Sequence, residues 1–140
     1  MISINYSLEF DYRTYQDNPY PVLTVEVRNP VNGESVEQDA FLDSGAARSI
    51  FLGEIPTMLG LNLLDGEPWT FQTNDGHTVD ARIHPIQIVL TEDGTQGVFD
   101  LPLAFSMVDL QRNLLGRDFF NLIQIGFRES HAQFFIEPTP

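Results

Sequence analysis

The chain has 140 residues and a formal net charge of −13, from 7 Lys+Arg against 20 Asp+Glu; every cation is Arg, and there is no Cys. That length supports one core of its own. The missing lysines exclude Schiff-base chemistry and the P-loop phosphate lysine, and the missing cysteines exclude disulfides, thiol nucleophiles and thiolate zinc sites.

The seven arginines lie scattered from Arg13 to Arg128 among the acids, so the counterion-displacing footprint of a nucleic-acid binder is lacking, and so is attraction to an anionic membrane. His77, His84 and His131 are too far apart for a metal motif, so neither metal nor cofactor is expected. No apolar run approaches the roughly 20 residues that cross a bilayer. The opening Met1-Ile2-Ser3-Ile4-Asn5 has no basic or apolar signal region, which points to a cytoplasmic protein.

In chain order, Ile2, Ile4, Tyr6, Leu8 and Phe10 alternate with polar residues, the period of a half-buried strand, and a turn-rich stretch over 16–21 ends it. Val22 to Arg28 predicts a second strand and Val36 to Leu42 a third, antiparallel across the 29–34 turn cluster. Ser49 to Leu59, with Pro56 inside it, predicts a short helix or turn ending at Gly60. Asp75-Gly76 between Trp69–Asn74 and His77–Ile83 signals a hairpin with a type I′ turn. Strand character resumes over Ile86 to Leu90, turns over 92–97, and continues from Val98 to Val108 with Pro102 marking an edge or bulge. Arg117 to Ile123 predicts a short helix, and 124–127 and 133–136 predict closing strands. Short strands at close intervals indicate an all-β barrel or sandwich.

Asp43-Ser44-Gly45 interrupts this pattern between Phe41-Leu42 and Ile50-Phe51-Leu52. A carboxylate with apolar flanks must be hydrogen-bonded or paired. A turn-capping Asp accounts for such a triplet, and so does an acid held for chemistry. Asp43-Ser44-Gly45 followed by Ser49 also approaches a phosphorylation-dependent degron, but such motifs act in exposed disordered segments. The remaining acids, including 92 and 93, lack calcium-loop spacing.

Three ordered elements separate these readings: Phe41-Leu42-Asp43-Ser44-Gly45-Ala46, then Asn74-Asp75-Gly76-His77, then Leu114-Leu115-Gly116-Arg117-Asp118. Together they resemble the retropepsin-like aspartic protease family over roughly residues 21–136. The resemblance implies a closed retropepsin-like β-barrel with one short C-terminal helix and a β-hairpin flap, on a domain spanning 21–140. Residues 1–20 form an N-terminal extension: an edge strand, a dimer-interface strand or a removable propeptide.

The resemblance further implies an aspartic endopeptidase acting on peptide or protein substrates. Asp43 matches the catalytic aspartate, and one triplet per chain implies a homodimer in which two copies of Asp43 meet. Ser44, Gly45 and Ala46 support the catalytic loop. Gly45, Ala47 and Arg48, with Asn74, Asp75, Gly76 and His77 of the flap, face substrate; Leu114, Leu115, Gly116 and Arg117 pass beneath the loop. Two departures stand out. Ala47 replaces the acid that often pairs with the arginine matching Arg117, so that pair is rebuilt through Asp118 or absent. The flap tip is polar. A catalytically silent peptide-binding dimer is the alternative, and an unrelated small barrel with a chance triplet is a third. Arg48 either faces the groove or is a solvated surface residue.

Overall fold

The computed structural model describes residues 1–73 and 75–139. The fold is all-β. Its strands are β1 (Leu8–Asp11), β2 (Arg13–Tyr15), β3 (Asn18–Tyr20), β4 (Val22–Arg28), β5 (Ser35–Leu42), β6 (Ile50–Phe51), β7 (Glu67–Gln72), β8 (Thr78–Glu92), β9 (Thr95–Ser106), β10 (Asn113–Leu115), β11 (Gln124–Arg128) and β12 (Gln133–Glu137). Helices α1 (Ile55–Met58) and α2 (Arg117–Phe120) are short. Among the described residues no helix is long and apolar enough to cross a membrane.

The largest sheet has the order β4-β5-β10-β6-β9-β8-β7, and β4 pairs again with β8, so the sheet returns on itself around a core. Residues of one parity fill that core: Leu23, Val25 and Val27 from β4, Ile86, Ile88 and Leu90 from β8, and Leu101, Leu103 and Phe105 from β9. Fully burying each such side chain contributes about 1.5–3 kcal/mol. A second sheet, β1-β12-β11, adds Leu8, Phe134 and Ile136 to the same core.

β7 stays outside the circuit, paired through Glu67↔Ile83 to Gln72↔Thr78 with the first half of β8. This hairpin is an arm at the edge of the sheet, its base tied to the barrel where Ala81–Ile83 pair with Ala104–Ser106 of β9. β8 continues past it for 15 residues in all, and its pairing with β4 begins only at Gln87. On the other side Pro85 faces Pro102 across the β8–β9 ladder. Two residues without N–H groups sit opposite each other, so neither leaves a partner's carbonyl waiting for a ladder bond from it. His84 beside them is buried, its Nε2–H donating to the Leu63 carbonyl at 3.0 Å.

Two local expectations are corrected. The strand over residues 2–10 begins only at Leu8, and Ile2 and Ile4 are 88 % and 59 % exposed. β1 pairs from Leu8↔Ile136 onward, and among the described residues no strand pairs with those before Leu8. The Asp75-Gly76 hairpin is not type I′. The last paired positions are Gln72 and Thr78, Gly76 alone takes φ +85, and its N–H donates to the Thr73 carbonyl at 3.1 Å. The type I′ geometry appears instead at Asp93-Gly94, with φ of +50 and +77 between Glu92 and Thr95.

Candidate active site

β5 ends at Leu42 and β6 begins at Ile50, and β10 lies between them, parallel to β5 and antiparallel to β6. The loop over 43–49 must therefore arch across the end of β10. The Asp43 N–H donates to the Leu115 carbonyl at 2.9 Å, and the Arg117 N–H donates to the Ala46 carbonyl at 2.8 Å. A Cβ on Gly116 would lie 2.6 Å from that Ala46 oxygen and 3.0 Å from the Arg48 carbonyl carbon. Close crossing of two backbones thus requires glycine at this position.

Ser49 locks the far side of the arch. It is buried; its Oγ accepts from the Gly116 N–H at 2.9 Å and donates to Asp118 Oδ1 at 2.6 Å, while its N–H donates to both Asp118 oxygens at 2.9 and 3.0 Å. The Phe119 N–H donates to the same carboxylate at 2.8 Å. Asp118 is therefore engaged inside its own chain. Arg117, exposed at the start of α2, has no ion pair among the described residues.

Asp43 is half-buried, and its Oδ1 accepts from the Gly45 N–H at 2.9 Å. No hydrogen bond among the described residues occupies Oδ2. Asp43 opens onto a cleft of about 560 Å³, lined on one wall by Gly45, Ala46, Ala47 and Arg48 and on the other by Trp69, Phe71, Gln72 and Thr73 of the hairpin arm. Ile50, Ala104 and Leu114 also line it, and Ile50 and Ala104 belong to a small apolar cluster with Val79 and Ala81. Arg48 lies on the groove side, its guanidinium carbon 4.8 Å from the centre of the Trp69 ring.

The remaining sequence candidates among the described residues fall outside this cleft. Ser44 is exposed and does not line it; Leu115 and Gly116 are buried beneath the loop. Asp75, Gly76 and His77 are exposed at the hairpin tip, and Asn74 lies outside the described residues. At the tip the Thr73 hydroxyl donates to Asp75, and so does the His77 N–H at 3.2 Å; these bonds, Thr73 first, hold the Asp75 carboxyl below its ordinary range. Trp69, Phe71 and Gln72 were not singled out from the sequence. The signal for Trp69 and Phe71 was there: they share one face of β7, and that face carries the chain's one Trp, whereas Gln72 has the opposite parity.

No protein-family model matches the sequence, and no curated protein matches it. Among solved structures the fold is similar to a retropepsin-like aspartic protease from Rickettsia conorii, with a TM-score of 0.64 and 20 % identity over 92 % of this chain and 98 % of that one. It is also similar to EIAV protease in complex with an inhibitor, with a TM-score of 0.52 and 19 % identity over 78 % and 92 % of the two chains. The fold is retropepsin-like.

Proposed function

We propose that the protein is an aspartic endopeptidase whose active site forms when two copies bring their Asp43 carboxylates together. The observation that carries this reading is the placement of Asp43: an acid on a loop braced by Leu115, Gly116 and Ser49, with Oδ2 unoccupied, at the mouth of a cleft walled by an edge hairpin. One carboxylate per chain cannot both activate water and protonate a carbonyl, so the chemistry needs a second copy.

Two carboxylates about 3 Å apart cannot both ionise, so the pair shares one proton. The ionised member takes a proton from a water whose oxygen attacks the scissile carbonyl carbon, while the other gives its proton to the carbonyl oxygen. The resulting gem-diol collapses as its C–N bond breaks: the nitrogen takes up a proton from the dyad, and a hydroxyl proton returns to it. Acid and amine leave, and the dyad is restored. Gly45 and the arm strand β7 supply backbone to an extended peptide.

Residues 1–20 are best read as an added edge on the 21–140 domain, because β1 pairs with β12 and Leu8 sits 2 % exposed in the core. Asp43→Asn is expected to abolish peptide cleavage while leaving folding and dimerisation intact. Unchanged cleavage would falsify the proposal. The silent peptide-binding dimer draws support from Ala47 and from Arg117, which has no ion pair among the described residues. It predicts binding of a transition-state-mimicking aspartic protease inhibitor without turnover of any peptide in a library.

A further inference from the structure

We infer that the cleft selects peptides carrying an acidic side chain, and that Arg48, laid against Trp69, is its receptor. This rests on the reading of the cleft as a peptide site and adds the class of side chain it takes.

Arg48 presents five N–H donors in a planar fork. Its Nη1 is sealed from water and has no hydrogen-bond partner among the described residues. Among the described residues no carboxylate answers it, although the chain has 20 Asp and Glu; the ion pairs among those residues are Arg13–Asp39 and His77–Asp75. Arg48 nevertheless lines the cleft, so it is the other N–H groups of the fork that a ligand acceptor can reach there.

The geometry narrows the ligand. The guanidinium carbon stands 4.8 Å from the centroid of the Trp69 ring, which engages the cation with the indole and leaves N–H groups for an acceptor in the guanidinium plane. A carboxylate fills two such donors at once, a carboxamide offers one acceptor, and an ammonium is repelled. The root of the side chain is fixed as well. Ser49, the next residue, is held by Asp118 and Gly116, and the Arg48 carbonyl packs where a Gly116 side chain would stand. Asp43 is the other charged residue lining the cleft. An acidic side chain is therefore drawn to the Arg48 end and away from Asp43, which sets how far from Asp43 that side chain lies.

The test uses the full chain and short apolar peptides in which a single Glu, Gln or Lys is walked through each position. Binding to Asp43→Asn protein is read from the emission of Trp69, the one Trp in the chain, and cleavage is followed with the unaltered protein. At one position Glu is expected to bind about tenfold more tightly than Gln, the ratio that a charge-assisted hydrogen bond confers, with Lys weaker still. Arg48→Gln should bring the Glu-to-Gln ratio close to one, and Arg48→Glu should reverse the preference toward Lys. A purely structural strut between Arg48 and Trp69 would move neither ratio. A Glu-to-Gln ratio near one at every position in Arg48-containing protein overturns the inference without recourse to any Arg48 variant. Discrimination without cleavage upholds it and overturns the endopeptidase reading; cleavage without discrimination does the reverse.

Discussion

At Gly116 the side chain that is missing matters more than any that is present. A methyl group there would meet backbone on both sides, the Ala46 oxygen at 2.6 Å and the Arg48 carbonyl at 3.0 Å, and backbone in a braced loop does not swing aside as a flexible side chain does. Gly116→Ala is therefore expected to destabilise the fold by about 1–3 kcal/mol through overpacking. Ser49→Ala acts by another route, stranding the Gly116 N–H and one Asp118 contact in a buried setting, at a cost of about 1–3 kcal/mol. Urea denaturation midpoints for the two variants check both values, and a midpoint unchanged from the parent would show that the arch is braced elsewhere.

Among the elements, the tether of the N-terminal segment has a pH signature. The Tyr12 hydroxyl donates to Glu129 at 2.7 Å, and its backbone N–H donates to the Ala132 carbonyl at 2.8 Å. Burial first, then the Glu129 hydrogen bond and charge, push the Tyr12 phenol from 10.0 up to about 12. Because the folded value is raised, the stabilisation is complete below pH 10 and fades as the pH climbs through the folded value. Ultraviolet titration of the 4 tyrosines should show one ionising last, and Glu129→Gln should bring that step back toward 10. A titration indifferent to Glu129 would contradict this tether.

Elements also show what sequence could tell. Local alternation located β4 and β5 to within a residue at either end, and the apolar flanks of Asp43 located the loop between two strands. Asp75-Gly76 and Asp93-Gly94 are the same dipeptide in different turns, because register across the sheet, rather than the dipeptide, sets how many residues lie between the last paired positions. The apolar alternation before Leu8 was legible, but the lack of a partner strand among the described residues was not. The second pairing of β4 with β8, and the passage of β10 between β5 and β6, join residues far apart in sequence and leave no local trace. The cleft's far wall was missed for a related reason. The turn signal drew notice to the hairpin tip, whereas Trp69 and Phe71 on its arm face Arg48 and its neighbours across the cleft.

For the whole molecule, charge sets the terms of association. Two copies at −13 each repel, and added salt shortens the reach of that repulsion, to about 8 Å at physiological ionic strength. The proposed dimer is thus expected to tighten as salt rises from low concentration, which light scattering across ionic strength will register. Association that weakens with salt would instead point to an interface held by attraction between opposite charges.

The reach of β9 has a mechanical consequence. Its ladder with β8 passes the facing prolines and runs on to Ala81↔Ser106, and Ala104 and Phe105 pair in turn with β6. Trp69 lies opposite Ala81, so the stretch of the hairpin that carries it is tied through β8 and β9 to the barrel. From Asp80 to Thr78 the ladder partner of β8 among the described residues is β7. Compliance therefore belongs to that two-stranded end, while the wall at Trp69 keeps its place.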